Sequence, residues 1–83
     1  MTAIDRVRLH DAAYVEYMQF CCHGAGSLAA AYRKSIDVWA TLRDRCYPGK
    51  PTEIQQIRID AAFALYYDIG DLLYSTQLAK TEV

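Results

Sequence analysis

The chain has 83 residues, of which 53% are hydrophobic and 23% are charged, and its formal net charge is −1. A chain of this length is expected to form one domain that buries only about 60% of the surface its unfolded form exposes. The near-neutral charge excludes the broad positive field of a protein that binds nucleic acid or an anionic membrane. We therefore expect a single globular domain whose partner is a protein.

Neither the start of the chain nor its cysteines point to secretion. Charges begin at Asp5, and the longest purely apolar run, residues 61–67, is too short to span a bilayer. Three cysteines cannot all pair within one chain, and the adjacent Cys21 and Cys22 are poorly placed to pair with each other. The sequence predicts buried, reduced thiols and a cytosolic protein.

The first segment with helical spacing covers about residues 4–22. Its main apolar face carries Ile4, Val7, Tyr14, Val15, Met18, Cys21 and Cys22, and a narrower second face carries Leu9, Ala13 and Phe20. Asp11 falls inside the main face, and Arg58 falls inside the apolar arc of the third helix. Because a buried charge is tolerated when it is paired, these two residues are predicted to meet, within the chain or across a dimer interface. The alternative is that Arg58 lies at an edge and reaches water.

A glycine-rich turn ends this helix, and Ser27 is the predicted N-cap of the next one. Residues 24–29 match the G-x-G-x-x-A pattern of dinucleotide-binding turns, but a helix enters this turn where that fingerprint requires a strand. The start of a helix can nevertheless hold an anion on its free backbone N–H groups. The alternative to an ordinary cap is an anion or nucleotide site made by Gly24, Gly26, Ser27, Arg33 and Lys34.

The second helix is predicted over about residues 27–46, with a charged outer face and an apolar inner stripe that includes Trp39. Trp39 is therefore expected in the core, with a place at an interface as the alternative. Cys46 lies near the C-terminus of this helix, where the dipole disfavours a thiolate. The sequence contains neither C-x-x-C nor H-E-x-x-H. It therefore predicts no catalytic residue, no metal ligand and no cofactor.

The third helix follows a turn with two prolines and a glycine, and Thr52 with Gln55 forms a predicted capping box at its start. Apolar residues fill about 200° of this helix, which covers about residues 52–80, against about 100° in an ordinary surface helix. Its far end, residues 72–78, is expected to project beyond the other two helices. We predict an all-α, three-helix, up-down-up bundle that dimerises through the third helix.

Tyrosines and acids at the edges of that arc are the predicted partner-binding residues. A tyrosine at such an edge buries its ring while its hydroxyl reaches water or a partner, and carboxylates steer a basic surface toward it. The predicted set is Tyr66, Tyr67, Tyr74 and Leu78 for apolar contact, with Asp60, Asp68 and Asp71 for steering. The alternative interpretation of the acids is an ordinary solvated face.

These observations predict a small non-enzymatic interaction protein, an adaptor, regulator or inhibitor that covers part of a larger protein. Chains this short and poor in motifs are common among proteins of phages and mobile elements. The alternative function is binding of a small ligand, a nucleotide or another anion, at the turn of residues 24–27.

Overall fold

The computed structural model describes the backbone of residues 1–81 and the side chains of residues 1–77. It has three helices, α1 (Ala3–Cys22), α2 (Leu28–Cys46) and α3 (Glu53–Thr81), and no strand among the described residues. The prediction of an all-α fold with three helices is confirmed. Each helix begins and ends within one residue of the range expected from the sequence.

Side-chain caps explain where α1 and α3 begin. The capping box predicted for α3 is formed, since Thr52 Oγ1 accepts a hydrogen bond from Gln55 N at 3.2 Å and Gln55 Oε1 accepts one from Thr52 N at 2.8 Å. An equivalent box that the sequence analysis did not anticipate joins Thr2 and Asp5 at the start of α1. Both helices therefore start at positions set by local sequence.

The core is thin and made mainly of small residues. α3 packs against both α1 and α2, and these two also pack against each other. The buried residues are Ala13, Cys21, Ala31, Ser35, Ile59, Ala61, Ala62, Leu65 and Ile69. Because alanines and a serine supply much of this core, the helices approach closely and many larger apolar side chains remain outside it.

Contacts between the helices show which residues lie at the same level, that is, at the same position along the bundle axis. Arg6 Nε, near the start of α1, lies 2.5 Å from Glu53 Oε1 at the start of α3. Tyr32, in the first half of α2, lies against Gly70 in the second half of α3. Leu28 is one helical turn before Tyr32, so α3 continues for about two turns, or about 10 Å, past the start of α2.

Only part of the main apolar face predicted for α1 points into the core. Ile4, Val7, Val15 and Met18, which we call the α1 ridge, are exposed, whereas the residues that α1 buries are Ala13 and Cys21. The prediction that this face is the buried one is therefore wrong for the α1 ridge. The physical reason is that α1 turns Ala13, Cys21 and, in part, Tyr14 and Tyr17 toward its neighbours, and this orientation leaves the α1 ridge facing solvent.

The buried ion pair predicted between Asp11 and Arg58 is also wrong within the chain. The Asp11 side chain is 74% exposed, with Oδ1 3.9 Å from Nδ1 of His10, and Arg58 is exposed as well. Asp11 lies on the same side of α1 as the α1 ridge, so its carboxylate keeps its hydration and needs no partner. The version of this prediction that joins two copies of the chain stays a prediction.

Within residues 1–81, none of the three helices has the combination of length and apolar character needed to cross a lipid bilayer. The described chain is elongated, with principal extents of 49 × 28 × 22 Å and a radius of gyration of 14.5 Å. A compact domain of this length has a radius of gyration of about 12 Å. The elongation leaves long helix faces in contact with solvent.

Candidate functional site

Aromatic side chains of α2 and α3 meet at the surface of the bundle. The ring centroid of Trp39 lies 5.6 Å from that of Tyr66 and 6.3 Å from that of Phe63. Phe63 lies 4.9 Å from Tyr66 and stacks on Tyr67 at 6.4 Å, with an interplanar angle of 22°. Tyr32 completes the network at 6.4 Å from Tyr66. With Tyr74, whose position is described below, these residues are named the ring surface.

Helical spacing places the ring surface where two helices meet. On α3, Phe63, Tyr67, Gly70 and Tyr74 recur at intervals of four, three and four residues, so they share one face. Tyr32 and Trp39 are seven residues apart on α2 and face α3 in the same way. The ring surface is therefore a continuous stripe along two packed helices, with each ring held by a helical backbone.

Gly70 lets the two helices approach at this stripe. A Cβ added at Gly70 would lie 2.8 Å from Cε2 of Tyr32, closer than van der Waals contact allows. The missing side chain leaves space for the Tyr32 ring directly on the backbone of α3. Next to this contact is an open hollow of about 360 Å³ that is lined by Tyr32, Tyr67, Gly70, Asp71, Leu73, Tyr74 and Gln77.

The outer rings of the stripe are in contact with water. The exposed fraction is 45% for Phe63, 64% for Tyr67 and 61% for Tyr74. Tyr32, Trp39 and Tyr66 are half-buried beneath or beside them. Solvent-exposed aromatic rings that form one continuous patch are typical of a protein-binding surface.

Charged groups flank the ring surface on both sides. On the α2 side, the guanidinium of Arg43 lies 4.5 Å from the centroid of Trp39, and its Nη2 lies 3.5 Å from Asp44 Oδ1. On the α3 side, Asp71 lines the hollow beside Tyr67 and Tyr74. Asp60 lies on the same side of α3 as Asp71, by helical spacing. The surface is thus apolar in the middle, carries Arg43 with its neighbour Asp44 at the α2 flank and is acidic at its α3 flank.

The structure brings together most of the partner-binding residues proposed from the sequence. Tyr66, Tyr67 and Tyr74 belong to the ring surface, and Asp60 and Asp71 form its α3 flank. The remaining apolar residue of that set, Leu78, lies outside the side chains that the structure describes. The binding role of these residues stays a prediction.

Asp68 is placed apart from the ring surface, on the side of α3 that faces α1. The hydroxyl of Tyr14 donates a hydrogen bond to Asp68 Oδ2 at 2.5 Å. That hydrogen bond, with a smaller contribution from burial, raises the pKa of Tyr14 to about 12. The acidic strip of α3 therefore divides, since Asp68 is bonded to α1 whereas Asp60 and Asp71 border the rings.

Three residues of the ring surface were not proposed as binding residues from the sequence. Trp39 was expected in the core, yet it is only half-buried and carries Arg43 on its face. Phe63 and Tyr32 were not singled out. The spacing of Phe63, Tyr67 and Tyr74 on α3 is a signal in the sequence, but the pairing of this stripe with Trp39 depends on tertiary packing.

The turn of residues 24–27 has the geometry of a helix stop and cap. Gly24 and Gly26 have positive φ angles of 70° and 83°, and Ser27 Oγ accepts a hydrogen bond from Ala30 N at 3.1 Å. Nζ of Lys34 lies 4.4 Å from the ring centroid of Phe20. Arg33 is exposed and, as the neighbour of Lys34, points about 100° away from it around α2. The five residues of the proposed anion site therefore do not converge on one point.

The cysteines differ in exposure. Cys21 is fully buried, and this burial raises the pKa of its thiol. Cys22 is exposed, so the prediction of a buried thiol is wrong there, while Cys46 is half-buried and its Sγ donates to the carbonyl oxygen of Leu42 at 3.4 Å. All three are free. Among the described residues, no three His, Cys, Asp or Glu side chains are arranged to hold a metal ion.

Comparison with known protein families, with curated proteins and with solved structures found no match to this chain. The role of the ring surface is therefore argued from its own chemistry. Tryptophan, tyrosine and arginine are the residues most enriched among the energetically dominant positions of protein interfaces. All three occur here side by side, with acids at one edge.

Proposed function

We propose that this chain is a small non-enzymatic interaction module, an adaptor, regulator or inhibitor that covers part of another protein with the ring surface. The observation that carries the proposal is the stripe of adjoining rings with Phe63, Tyr67 and Tyr74 exposed to water. Covering the exposed part of such rings against a partner is favourable, because complete burial of an aromatic side chain removes about 150–250 Å² from water and about half of that area is still exposed here. A partner protein would therefore stabilise this face.

The total accessible surface supports the proposal quantitatively. The chain exposes 6087 Å², whereas a compact monomer of its mass, 9.4 kDa, exposes about 5,000 Å². The excess is on the order of 1,000 Å². A standard protein interface buries about 800 Å² on each partner, so the excess is the size of one interface.

The charges at the edges of the ring surface supply orientation. Exposed charges add little affinity but raise the association rate and select among orientations. Asp60 and Asp71 would meet basic groups, and Arg43 would meet an acidic one. A matching partner surface would have an apolar centre, basic groups opposite Asp60 and Asp71, and an acidic group opposite Arg43.

The finer architecture is part of the same proposal. The contacts of Arg6 with Glu53 and of Tyr32 with Gly70 support the up-down-up arrangement, and the exposed rings of α3 support association through that helix. A cytoplasmic setting is also proposed, and the free state of the cysteines is consistent with it.

Affinity capture tests the function. The immobilised chain is compared with Tyr67→Ala/Tyr74→Ala and, as a matched control, with Phe20→Ala, because Phe20 is 57% exposed but lies in α1, outside the ring surface. The proposal expects an extract of the source cell to supply a protein, another copy or a different chain, that is retained by the wild type and the control. The double variant should lose it. Retention that is insensitive to Tyr67 and Tyr74 would contradict the proposal.

A further inference from the structure

We infer that the protein that covers the ring surface is a second copy of this chain, packed so that α3 of each copy lies on α2 of the other. The two-fold axis of this dimer runs parallel to the helices. The inference rests on the proposed function, because it names a partner for the ring surface. It is argued from the order of charges across the surface, the level of those charges along the helices and the area available.

The first charge pair across the proposed dimer is Arg43 of one copy with Asp60 of the other. Arg43 and Gln56 line one hollow at the start of α3, and Gln56 Nε2 donates a hydrogen bond to Asp60 Oδ1 at 2.8 Å. Arg43 and Asp60 are therefore at nearly the same level along the bundle, on opposite flanks of the ring surface. A rotation about an axis parallel to the helices preserves this level, so Arg43 of one copy faces Asp60 of the other.

The second charge pair lies at the other end of the surface. Tyr32 lies against Gly70. Because the two helices run in opposite directions, the residues that follow, Arg33 on α2 and Asp71 on α3, lie at levels that differ by about two residues, or about 3 Å. The same rotation brings Arg33 of one copy toward Asp71 of the other. Because the interface is isologous, each pair occurs twice, which makes four opposite-charge contacts around a centre of rings.

The other symmetric packing of the same face is electrostatically unfavourable. A two-fold axis across the helices would place α3 on α3 and α2 on α2, so that Asp60 and Asp71 of the two copies face each other. Like charges brought together at an interface suppress that orientation. The observed order of charges therefore selects the packing of α3 on α2.

The α1 ridge is a less suitable face for a second copy. Asp11 lies among its apolar residues with a side chain 74% exposed, so pairing two ridges would remove two carboxylates from water. Among the side chains of residues 1–77, Asp11 has a distant histidine contact, at 3.9 Å, and no lysine or arginine partner. Burying an uncompensated charge is strongly unfavourable, whereas the charges of the ring surface lie at its edges.

The chain as a whole has enough surplus surface for a dimer interface. The surface in excess of that of a compact monomer is on the order of 1,000 Å² per chain, and a stable dimer of standard size needs about 800 Å² per chain. The ring surface supplies part of this area, since it extends for about 17 Å along α3, from Phe63 to Tyr74. In the dimer, α2 and α3 of both copies form a central four-helix bundle, and the two α1 helices lie on its outer sides.

Charge reversal tests both the partner and the packing. Asp60→Arg/Asp71→Arg gives a chain with two basic flanks, and Arg33→Asp/Arg43→Asp gives a chain with two acidic flanks. Their molar masses are measured by light scattering over a concentration series, alone and in an equimolar mixture. The inference expects the wild type to be a dimer, each variant alone to dimerise at least tenfold more weakly, and the mixture to recover the dimer mass.

A matched control carries the same change of net charge elsewhere. Arg8→Asp/Arg45→Asp also replaces two arginines by aspartates, on α1 and on the side of α2 that faces α1. This variant should dimerise like the wild type. Recovery of the dimer in the mixture also shows that both reversed chains are folded, because unfolded chains could not complement each other.

Three results would overturn the inference. A wild type that is monomeric at every concentration excludes the second copy, but the proposed function still stands if Tyr67 and Tyr74 are needed to capture a different protein. A dimer that survives both reversals excludes the ring surface as its interface and points to the α1 ridge. Reversed chains that stay monomeric when mixed, with unchanged helical circular dichroism, exclude the packing of α3 on α2.

Discussion

Tyr32 lies directly on the backbone of α3 at Gly70, where a Cβ would be 2.8 Å from the Tyr32 ring. We predict that Gly70→Ala destabilises the chain by about 1 kcal/mol. The alanine contributes about 1 kcal/mol of helix propensity, but forcing an extra methyl group into a packed contact costs about 1–3 kcal/mol. Urea unfolding at a fixed chain concentration measures the change.

The sign of that change depends on Tyr32. In a Tyr32→Ala background the obstacle is gone, so Gly70→Ala should stabilise the chain by up to about 1 kcal/mol. Gly49→Ala is the control, because a Cβ there makes an ordinary contact of 3.6 Å with the Cys46 carbonyl oxygen. If Gly70→Ala has the same effect in both backgrounds, the close contact does not determine its cost.

The hydrogen bond from Tyr14 to Asp68 makes stability depend on alkaline pH. The pKa of Tyr14 is raised from 10.0 to about 12 in the folded chain, so above pH 10 the unfolded chain loses this proton before the folded chain does. The stabilisation is complete below pH 10 and is lost as the pH rises from 10 toward 12.

Tyr14→Phe isolates this contribution. Below pH 10 we expect the variant to be less stable than the wild type by about 1 kcal/mol, as for an ordinary side-chain hydrogen bond. Between pH 10 and 12 the difference should shrink steadily. Unfolding free energies of both chains across that range provide the measurement, and a difference that grows with pH would contradict the assignment.

The three thiols should react with iodoacetamide at clearly different rates. Cys22 is exposed and should react first, and Cys46 should be slower because it is half-buried and bonded to a carbonyl. Cys21 should react only when the chain opens, because burial both covers its sulphur and raises its pKa. Tandem mass spectrometry distinguishes the adjacent sites, and modification of Cys21 as fast as Cys22 would disprove the packing of α1.

Ser27 should stabilise α2 as a cap without binding an anion. Ser27→Ala should cost about 1 kcal/mol, because the Ala30 N–H loses its acceptor. The cost should be the same with and without phosphate or ATP. A ligand-dependent increase in the melting temperature of the wild type that is absent from Ser27→Ala would instead support the anion site.

Local signals in the sequence were sufficient to predict where the helices begin and end. The capping pair Thr52 and Gln55, the glycines before Ser27 and the two prolines near Tyr47 each act within a few residues, so they determine boundaries without tertiary information. The capping box of Thr2 and Asp5 is equally local and was overlooked.

Faces of helices were harder to predict, because apolar periodicity does not say which stripe is buried. On α1, small residues such as Ala13 were buried and the larger Ile4 and Val7 were left outside, since the orientation of α1 turns the side with Ala13 toward its neighbours. On α3, Asp68 and Asp71 appeared as one strip, yet the position of α1 assigned Asp68 to Tyr14. The residues of the ring surface could be predicted only from the packing of the helices, because that packing decides which face of α3 contacts α1 and which contacts α2.

The most direct test of the central claim is hydroxyl-radical footprinting of the wild-type chain in dilute and concentrated solution. It measures the modification rate of Tyr67 and Tyr74, with Phe20, which has a similar exposed fraction, as internal reference. If two copies pack through the ring surface, the two tyrosines become several-fold less reactive at high concentration while Phe20 does not change. If the tyrosines stay as reactive as in dilute solution, or if all three residues are protected equally, the ring surface is not the interface between copies.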